Sequence, residues 1–531
     1  MANKITININ QMKQTTLILF TLSGLLTFSN LFAQLNFENF QKVSAISGNL
    51  GVSLAAGASL GSRIANIGDL DGDGIPDIAI ASPGDNDGGP TRGAMYILFM
   101  KNDGTVKKVQ KISNSSGNLG VSLADNDRFG YSMATLGDLD GDGVQDLVVG
   151  CIGHNGYVGC AYILFMKKDG TVKSHTVIDG NTANFSYPTA SYFSHHVACP
   201  GDIDGDGIPD IAIGAIMDND GGSPYGAVYI LFMKRDGTVK GFQKISETQG
   251  NLGVSLSSGC YFGYSLCKSG DLNGDETPDL IVSAPEMAVS SNPTGAVFIL
   301  YLKPDGTVKS HKQIDYSTKN FQNILQANES FGTSVQMIED VNGDGIKDLL
   351  VGAEHFNLNV NDKGTVYVFD LDSFQGVKSY QRIGASTSSS LDAEVQSGSC
   401  FGISVIDLNN FNSSYTHTIA VGAFADNDGN SKAGAMYVIF LKAHTSGING
   451  NAQIFNTYQI YPNPLKEILN IAFNTEGERT IELINPTGKI LLKKHFPGET
   501  FTLSLSDFPK GIYFVRVSDS NSVSTEKVLK L

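Results

Sequence analysis

Between residues 35 and 442 short apolar runs alternate with turns rich in glycine and aspartate. Runs such as Ile78-Ala-Ile80, Leu147-Val-Val149 and Leu280-Ile-Val282 are short and carry β-branched residues, which predicts strands. A further run, Gly93-Ala-Met-Tyr-Ile-Leu-Phe99, recurs with small changes from Gly159, Gly226 and Gly295. Behind it stands Lys101-Asn-Asp-Gly-Thr-Val-Lys107, repeated over 167–173, 234–240 and 303–309. Asp-Gly between two extended runs predicts a hairpin. Each unit therefore supplies about four short strands, the content of one propeller blade.

An acidic nonapeptide sets the register. The first copy is Asp69-Leu-Asp71-Gly-Asp73-Gly-Ile-Pro-Asp77, and the others begin at Asp138, Asp202, Asp271 and Asp340, at intervals of 69, 64, 69 and 69 residues. Positions 1, 3, 5 and 9 hold Asp138, Asp140, Asp142 and Asp146; then Asp202, Asp204, Asp206 and Asp210; then Asp271, Asn273, Asp275 and Asp279; then Asp340, Asn342, Asp344 and Asp348. Oxygen donors at this spacing converge when glycines let the backbone fold around them, and without His or Cys they favour calcium. An EF-hand would need a glutamate at position 12 and flanking helices, whereas these loops run into strands. Isolated copies would read as solvated Asp-Gly turns. Five in register predict about five calcium sites.

The repeat extends outward from the loop. Nine residues before its first aspartate stand Phe129-Gly130, Phe262-Gly263 and Phe331-Gly332, with Leu60-Gly61 and Phe193-Ser194 as variants. After it come Val282-Ser-Ala-Pro285, Val351-Gly-Ala353 and Ile213-Gly-Ala215. A sixth copy keeps Phe401-Gly402 and Val421-Gly-Ala423 but places Asn410, Asn412, Ser414 and Thr418 at the ligand positions, so no calcium is expected there. Its outer strand is missing, while Phe40-Gln-Lys-Val-Ser44 resembles the outer strand Val109-Gln-Lys-Ile-Ser113. The N-terminal strand is thus expected to complete the last blade, giving six blades by count over residues 35–442, with seven as the alternative.

In their order, the Phe-Gly, Asp-rich and Gly-Ala-Pro segments resemble the FG-GAP repeat of integrin α-subunit propellers and of many bacterial surface proteins. The resemblance implies an all-β propeller with calcium held between the first two strands of a blade. Integrin propellers usually have seven blades, a departure from the six counted here, and Glu276 departs by replacing a loop glycine. The net charge of −16 fits the same picture, because 18 of the 53 acidic residues are aspartates of the five loops. Nucleic acid is not an expected partner of such a surface.

Both ends carry export signals. Lys4 and Lys13 precede an apolar stretch from Thr15 to Phe28, too short to span a bilayer comfortably, and Leu31-Phe-Ala33 offers a cleavage site. Residues 1–33 therefore read as a signal peptide, with Met12 an alternative start. No cysteine follows the cleavage point, so a lipid anchor is not expected there; nor is a transmembrane anchor expected after signal removal. Residues 443–457 read as a linker. From 458 to 531, Tyr461-Pro-Asn-Pro464, Ile481-Glu-Leu-Ile-Asn485, Pro486-Thr-Gly488, Gly511-Ile-Tyr-Phe-Val515 and Lys527-Val-Leu-Lys530 predict a small β-sandwich. Together these motifs resemble the C-terminal sorting domain of type IX secretion cargo in Bacteroidetes. That implies export by this machinery and a secreted or outer-surface protein.

Six cysteines raise the question of disulfides. Cys151 and Cys160 flank one short connection and suit a cross-strand bridge; Cys199, Cys260, Cys267 and Cys400 fall in different blades, as free thiols or as bridges. Catalytic candidates are few. The serine of Phe-Gly-x-Ser (Ser132, Ser265, Ser334, Ser404) repeats with the blade, which points to structure and not to a nucleophile. His195 and His196 read as packing variants, and Asp-Asn-Asp-Gly loops at Asp85, Asp218 and Asp426 as solvated turns. The leading expectation is a non-enzymatic calcium-binding module for a protein or glycan, presented by the loops 82–92, 151–159, 215–225, 284–294, 353–364 and 424–433. The alternatives are a hydrolytic enzyme with its site in the propeller channel, and a structural surface component.

Overall fold

The computed structural model describes residues 35–443 and 458–531, apart from 189–190, 223, 290–291, 322–323, 326–328, 343, 356–362, 385–386, 410, 462–464, 474–477, 486–488, 499 and 519–522. The predicted signal peptide and all but the first residue of the predicted linker lie outside these residues. The chain divides into two compact units between His444 and Thr445.

Among the described residues, the first unit forms six four-stranded antiparallel sheets. In blade one the strands are Ile64–Gly68, Asp77–Ser82, Ala94–Met100 and Val106–Ser113, paired in chain order. Blades two to five repeat this order. Blade six joins Ser404–Asp407, His417–Ala423 and Ala435–Ala443 to the N-terminal strand Leu35–Ser44, which pairs antiparallel with Ala435–Ala443 and takes the outer position. The sixth blade is thus assembled from both ends of the unit, as its sequence predicted.

Burial follows from this arrangement. Second and third strands are buried at every position in blade one, on both faces of the sheet, while the outer strand is buried only at its two ends. Six apolar clusters fill the spaces between blades, each made of residues from two successive blades. One of them packs Ile80 and Leu98 of blade one with Met436 and Val438 of blade six, which closes the ring at six.

Phe-Gly and Gly-Ala are two halves of one contact between blades. Phe129, Phe262 and Phe401 each form a parallel bridge with Gly93, Gly226 and Gly364 of the preceding blade, and their rings are fully buried. The next glycine has φ of 85° at Gly130, 90° at Gly263 and 97° at Gly402. Its carbonyl presses on the Gly-Ala glycine opposite: a Cβ on Gly422 would lie 2.0 Å from the Gly61 oxygen, and one on Gly352 2.0 Å from the Gly402 oxygen. The repeated serines staple neighbouring first strands. Ser132 donates to the Ser194 carbonyl at 2.7 Å, and Ser404 accepts from the Ile64 N–H at 3.0 Å.

Cys151 and Cys160 stand directly opposite each other on adjacent strands but form no disulfide, against the expected cross-strand bridge, and Cys199, Cys260 and Cys267 are unbridged thiols as well. The second unit has a three-stranded sheet (Tyr458–Tyr461, Ile468–Phe473, Thr500–Ser504) and a four-stranded sheet (Arg479–Ile484, Ile490–Phe496, Gly511–Ser518, Val523–Lys530) around one apolar core. The predicted turn motifs 462–464 and 486–488 lie outside the described residues. No helix among the described residues is long and apolar enough to cross a membrane.

Candidate metal centres

Each acidic loop follows the first strand of a blade, and its ninth residue opens the second: Asp77, Asp146, Asp210, Asp279 and Asp348 are each the first residue of a strand. Asp69 accepts backbone N–H bonds from Gly72, Asp73 and Gly74 at 2.7 to 2.9 Å, which turns the loop back on its first carboxylate. Asp138 and Asp202 do the same. The ninth aspartate clamps the loop to the sheet. Asp77 accepts from the Leu70 N–H at 2.9 Å and the Met100 N–H at 3.0 Å, and this pair of bonds recurs in all five blades. Burial pushes the pKa of Asp77, Asp146, Asp210 and Asp279 up to about 6 and that of Asp348 to about 7.

Three loops bring carboxylates together. One oxygen each from Asp69, Asp71 and Asp77, from Asp138, Asp140 and Asp146, and from Asp202, Asp204 and Asp206 lie within 4.8 Å of one another. Oδ1 of Asp204 is buried without a hydrogen-bond partner. An all-oxygen donor set containing such an atom fits a hard divalent cation such as calcium. Loops four and five form no such acidic triad among the described residues. There Asn273 and Asn342 stand at position 3, and the Asn342 amide turns to Asp370 Oδ1 at 2.7 Å. In blade six Asn410 lies outside the described residues, Asn412 donates to the Asn102 carbonyl at 2.7 Å, and Thr418 is buried within a strand.

The FG-GAP-like repeat family matches residues 69–149, 138–213 and 202–282, the FG-GAP repeat matches 331–369, and the secretion system C-terminal sorting domain matches 459–530. This is an FG-GAP-repeat chain with a C-terminal sorting domain. Integrin alpha pat-2 of Caenorhabditis elegans is 30% identical over 268 residues, 49% of this chain and 20% of that protein. Phosphatidylinositol-glycan-specific phospholipase D of Bos taurus is 27% identical over 240 residues, 43% of this chain and 26% of that protein. The chain thus spans about a fifth to a quarter of the length of these relatives. A solved chain of PorZ, an essential surface component of the type-IX secretion system of Porphyromonas gingivalis, is 13% identical and aligns with 91% of this chain and 61% of that chain at a TM-score of 0.36. The sorting domain marks the FG-GAP chain as type IX secretion cargo, located at the cell surface or outside the cell.

Glu276 occupies a loop position that the other FG-GAP copies give to glycine, and it does so at φ 70°. Left-handed backbone costs a side-chain-bearing residue about 1 kcal/mol. Glu276→Gly is expected to raise stability by up to about 1 kcal/mol in urea denaturation.

The Asp-Asn-Asp-Gly loops differ from expectation. Asp218 and Asp426 are buried, not solvated, because a lysine from the outer strand reaches each of them. Lys244 meets Asp218 at 2.9 Å and Lys42 meets Asp426 at 3.0 Å, while Lys111 meets the less buried Asp85 at 2.9 Å. Tyr229, Tyr437 and Tyr96 donate to the same aspartates, and Ser246, Ser44 and Ser113 to the second aspartate of each loop. These are structural ion-pair networks of blades three, six and one. Their partners lie far along the chain, so spacing alone gave no signal for them.

First strands line an axial cavity of about 770 Å³, whose walls include His196, Cys199, Cys267, Lys268, Glu339, Lys347 and Asp407. Beside the first strands packs a cluster of Arg63, Tyr131, His195 and Tyr264. The His195 ring lies 4.4 Å from that of Tyr264 and 5.3 Å from that of Tyr131, and Arg63 stacks on Tyr264 at 5.8 Å. The histidines are packing groups here, as their sequence context suggested. Burial first, then the Arg63 charge, pushes the pKa of His195 down to about 3. A histidine held neutral in the fold and free to protonate when unfolded keeps its full contribution above about pH 6.5, and loses it as pH falls toward 3. Acidification from pH 6.5 to 4.5 is therefore expected to cost wild type up to about 1.4 kcal/mol per pH unit more than His195→Gln, read from denaturation of both proteins across that range.

Proposed function

We propose that the mature protein is a calcium-stabilised propeller that acts at the cell surface as a non-enzymatic binding module for a protein or a glycan. Calcium would be held by Asp69, Asp71, Asp73 and Asp77 and by their counterparts in the next two loops, with weaker sites at loops four and five, where asparagine replaces one carboxylate. The bound ion would neutralise carboxylates that otherwise repel across a few ångströms.

One observation carries the binding reading. Acidic loops connect first to second strands, so antiparallel pairing places them at one end of every blade and the second-to-third connections at the other. The scaffold repeats almost residue for residue, whereas the opposite connections share a sequence only in blades one, three and six: blade two uses a short turn around His154–Tyr157, and blade four a small hairpin pairing Ala288 with Pro293. Recognition resides where the repeat does not constrain sequence. The sorting domain would engage the type IX secretion machinery.

Testing requires the mature chain on glycan arrays and against a panel of surface proteins, with and without replacement of 152–158 and 286–293 by Gly-Ser linkers. Saturable binding lost on replacement supports the reading. Absence of any ligand, combined with turnover abolished by one substitution in the axial cavity, such as Lys268→Met, would replace it with an enzymatic one.

A further inference from the structure

Outer strands of all six blades carry a β-bulge at the same place. In blade one the third-strand residues Phe99 and Met100 pair with Lys108 and Val106, so Lys107 is the extra residue. The same skip isolates Lys173, Lys240, Lys309 and Lys378 in blades two to five. A bulge re-aims the side chain of its extra residue, and here it turns each lysine onto the acidic loop of its own blade. Lys107 Nζ lies 2.8 Å from Asp71 Oδ2 and 2.6 Å from Asp73 Oδ2; Lys240 lies 2.6 Å from both Asp204 and Asp206. Lys173 bridges Asp140 and Asp142, Lys309 meets Asp275 at 2.7 Å, and Lys378 meets Asp344 and Asp370.

Blade six supplies the control. Its N-terminal strand has the same bulge, between the partners of Leu441 and Phe440, and the extra residue is Glu38. That is the blade whose loop has Asn412 and Ser414 in place of the acids, and Glu38 pairs outward with Lys442 at 3.6 Å. The bulge is therefore a property of the fold, and lysine occupies it only where the facing loop is acidic.

We propose that Lys107, Lys173, Lys240, Lys309 and Lys378 are built-in counter-ions that set how tightly each acidic loop takes a divalent cation. The proposal rests on the calcium reading of these loops. In loops one to three the ammonium holds the third and fifth positions through Oδ2, and in loops four and five it holds the fifth; in each it steadies the loop before metal arrives and opposes the metal's charge once it is bound. Because Lys107, Lys173 and Lys240 are about two-fifths exposed, salt should screen the effect. The result is a site tuned to fill only where calcium is abundant, as outside the cell.

The experiment uses the full mature chain and its triple variant Lys107→Met, Lys173→Met, Lys240→Met, titrated calorimetrically with calcium chloride alone at low and high salt, and melted in chelator. The expected results are binding about tenfold tighter in the variant at low salt, convergence of the two proteins at high salt, and a lower melting temperature for the metal-free variant. The matching triple arginine variant should behave as wild type. A triple glutamine variant, whose amides can still bridge the carboxylates, gives the same affinity comparison if the methionine protein does not fold. Equal or weaker calcium binding in folded variants would overturn the proposal and leave the calcium reading intact. Failure of wild type and variants alike to bind calcium would overturn both.

Discussion

Stripping divalent ions from the mature chain is expected to lower its melting temperature by about 10 °C or more. Ligands that bind only the folded state stabilise it by RT ln(1 + [L]/Kd), about 2.7 kcal/mol per site at a hundredfold excess over Kd. At 10 mM calcium an extracellular-type site with a dissociation constant of about 0.1 mM meets that condition. The three loops in which acidic oxygens lie within 4.8 Å of one another would then supply about 8 kcal/mol together. Each kilocalorie moves the melting temperature of a domain above 150 residues by roughly 2 °C. Calorimetric scans in 10 mM calcium and in chelator check this, with magnesium as the control for charge alone. Asp71→Ala should remove about one site's share and reduce the bound calcium count by one. Superimposable scans would mean that the acidic loops are turns held by their lysines.

The features legible in the sequence are those encoded at short range and repeated. Five acidic loops in register, with Phe-Gly before and Gly-Ala after them, fixed the blade boundaries, and an offset copy without acids revealed the sixth blade. Closure was legible because Phe40-Gln-Lys-Val-Ser44 repeats an outer strand that the last copy lacks, and Leu35–Ser44 does pair there. What remained hidden are contacts made across the sheet. Lys107 was visible only as the end of a hairpin repeat, since its partner Asp73 lies 34 residues earlier and the bulge that joins them leaves no local signature. Asp218 and Asp426 looked like solvated turn residues because the lysines that neutralise them arrive from another strand, in one case from the opposite end of the unit. The axial cluster around His195 draws Arg63 from blade one, Tyr131 from blade two and Tyr264 from blade four, an arrangement that exists only after the ring has closed.

Lys42→Met is expected to destabilise the propeller by about 3–5 kcal/mol in chemical denaturation, although the substitution preserves the length of the side chain. Lys42 is 5% exposed and lies 3.0 Å from Asp426 and 2.9 Å from Asp428. Without the ammonium, those carboxylates keep only neutral donors: Tyr437 at 3.2 Å and the Asp428 N–H at 3.0 Å on Asp426, Ser44 at 2.8 Å on Asp428, and the Gln396 amide on both. Removing one partner of a buried pair costs far more than the pair contributes, because a charge is left where water cannot reach it. Burial already raises the pKa of Asp426, and loss of Lys42 must raise it further. Protonation relieves the penalty, so the difference between variant and wild type should shrink as pH falls from 8 to 5. Lys111→Met is the internal comparison. Lys111 makes the equivalent contact in blade one but is 29% exposed, and its loss should cost about 1 kcal/mol. Position on the chain separates the two further. Lys111 belongs to a strand tied to its blade by a hairpin, whereas Lys42 belongs to the strand that closes the ring and has no hairpin to hold it. Limited proteolysis should therefore cut the Lys42→Met protein first within 35–44, and leave the Lys111→Met protein as resistant as wild type.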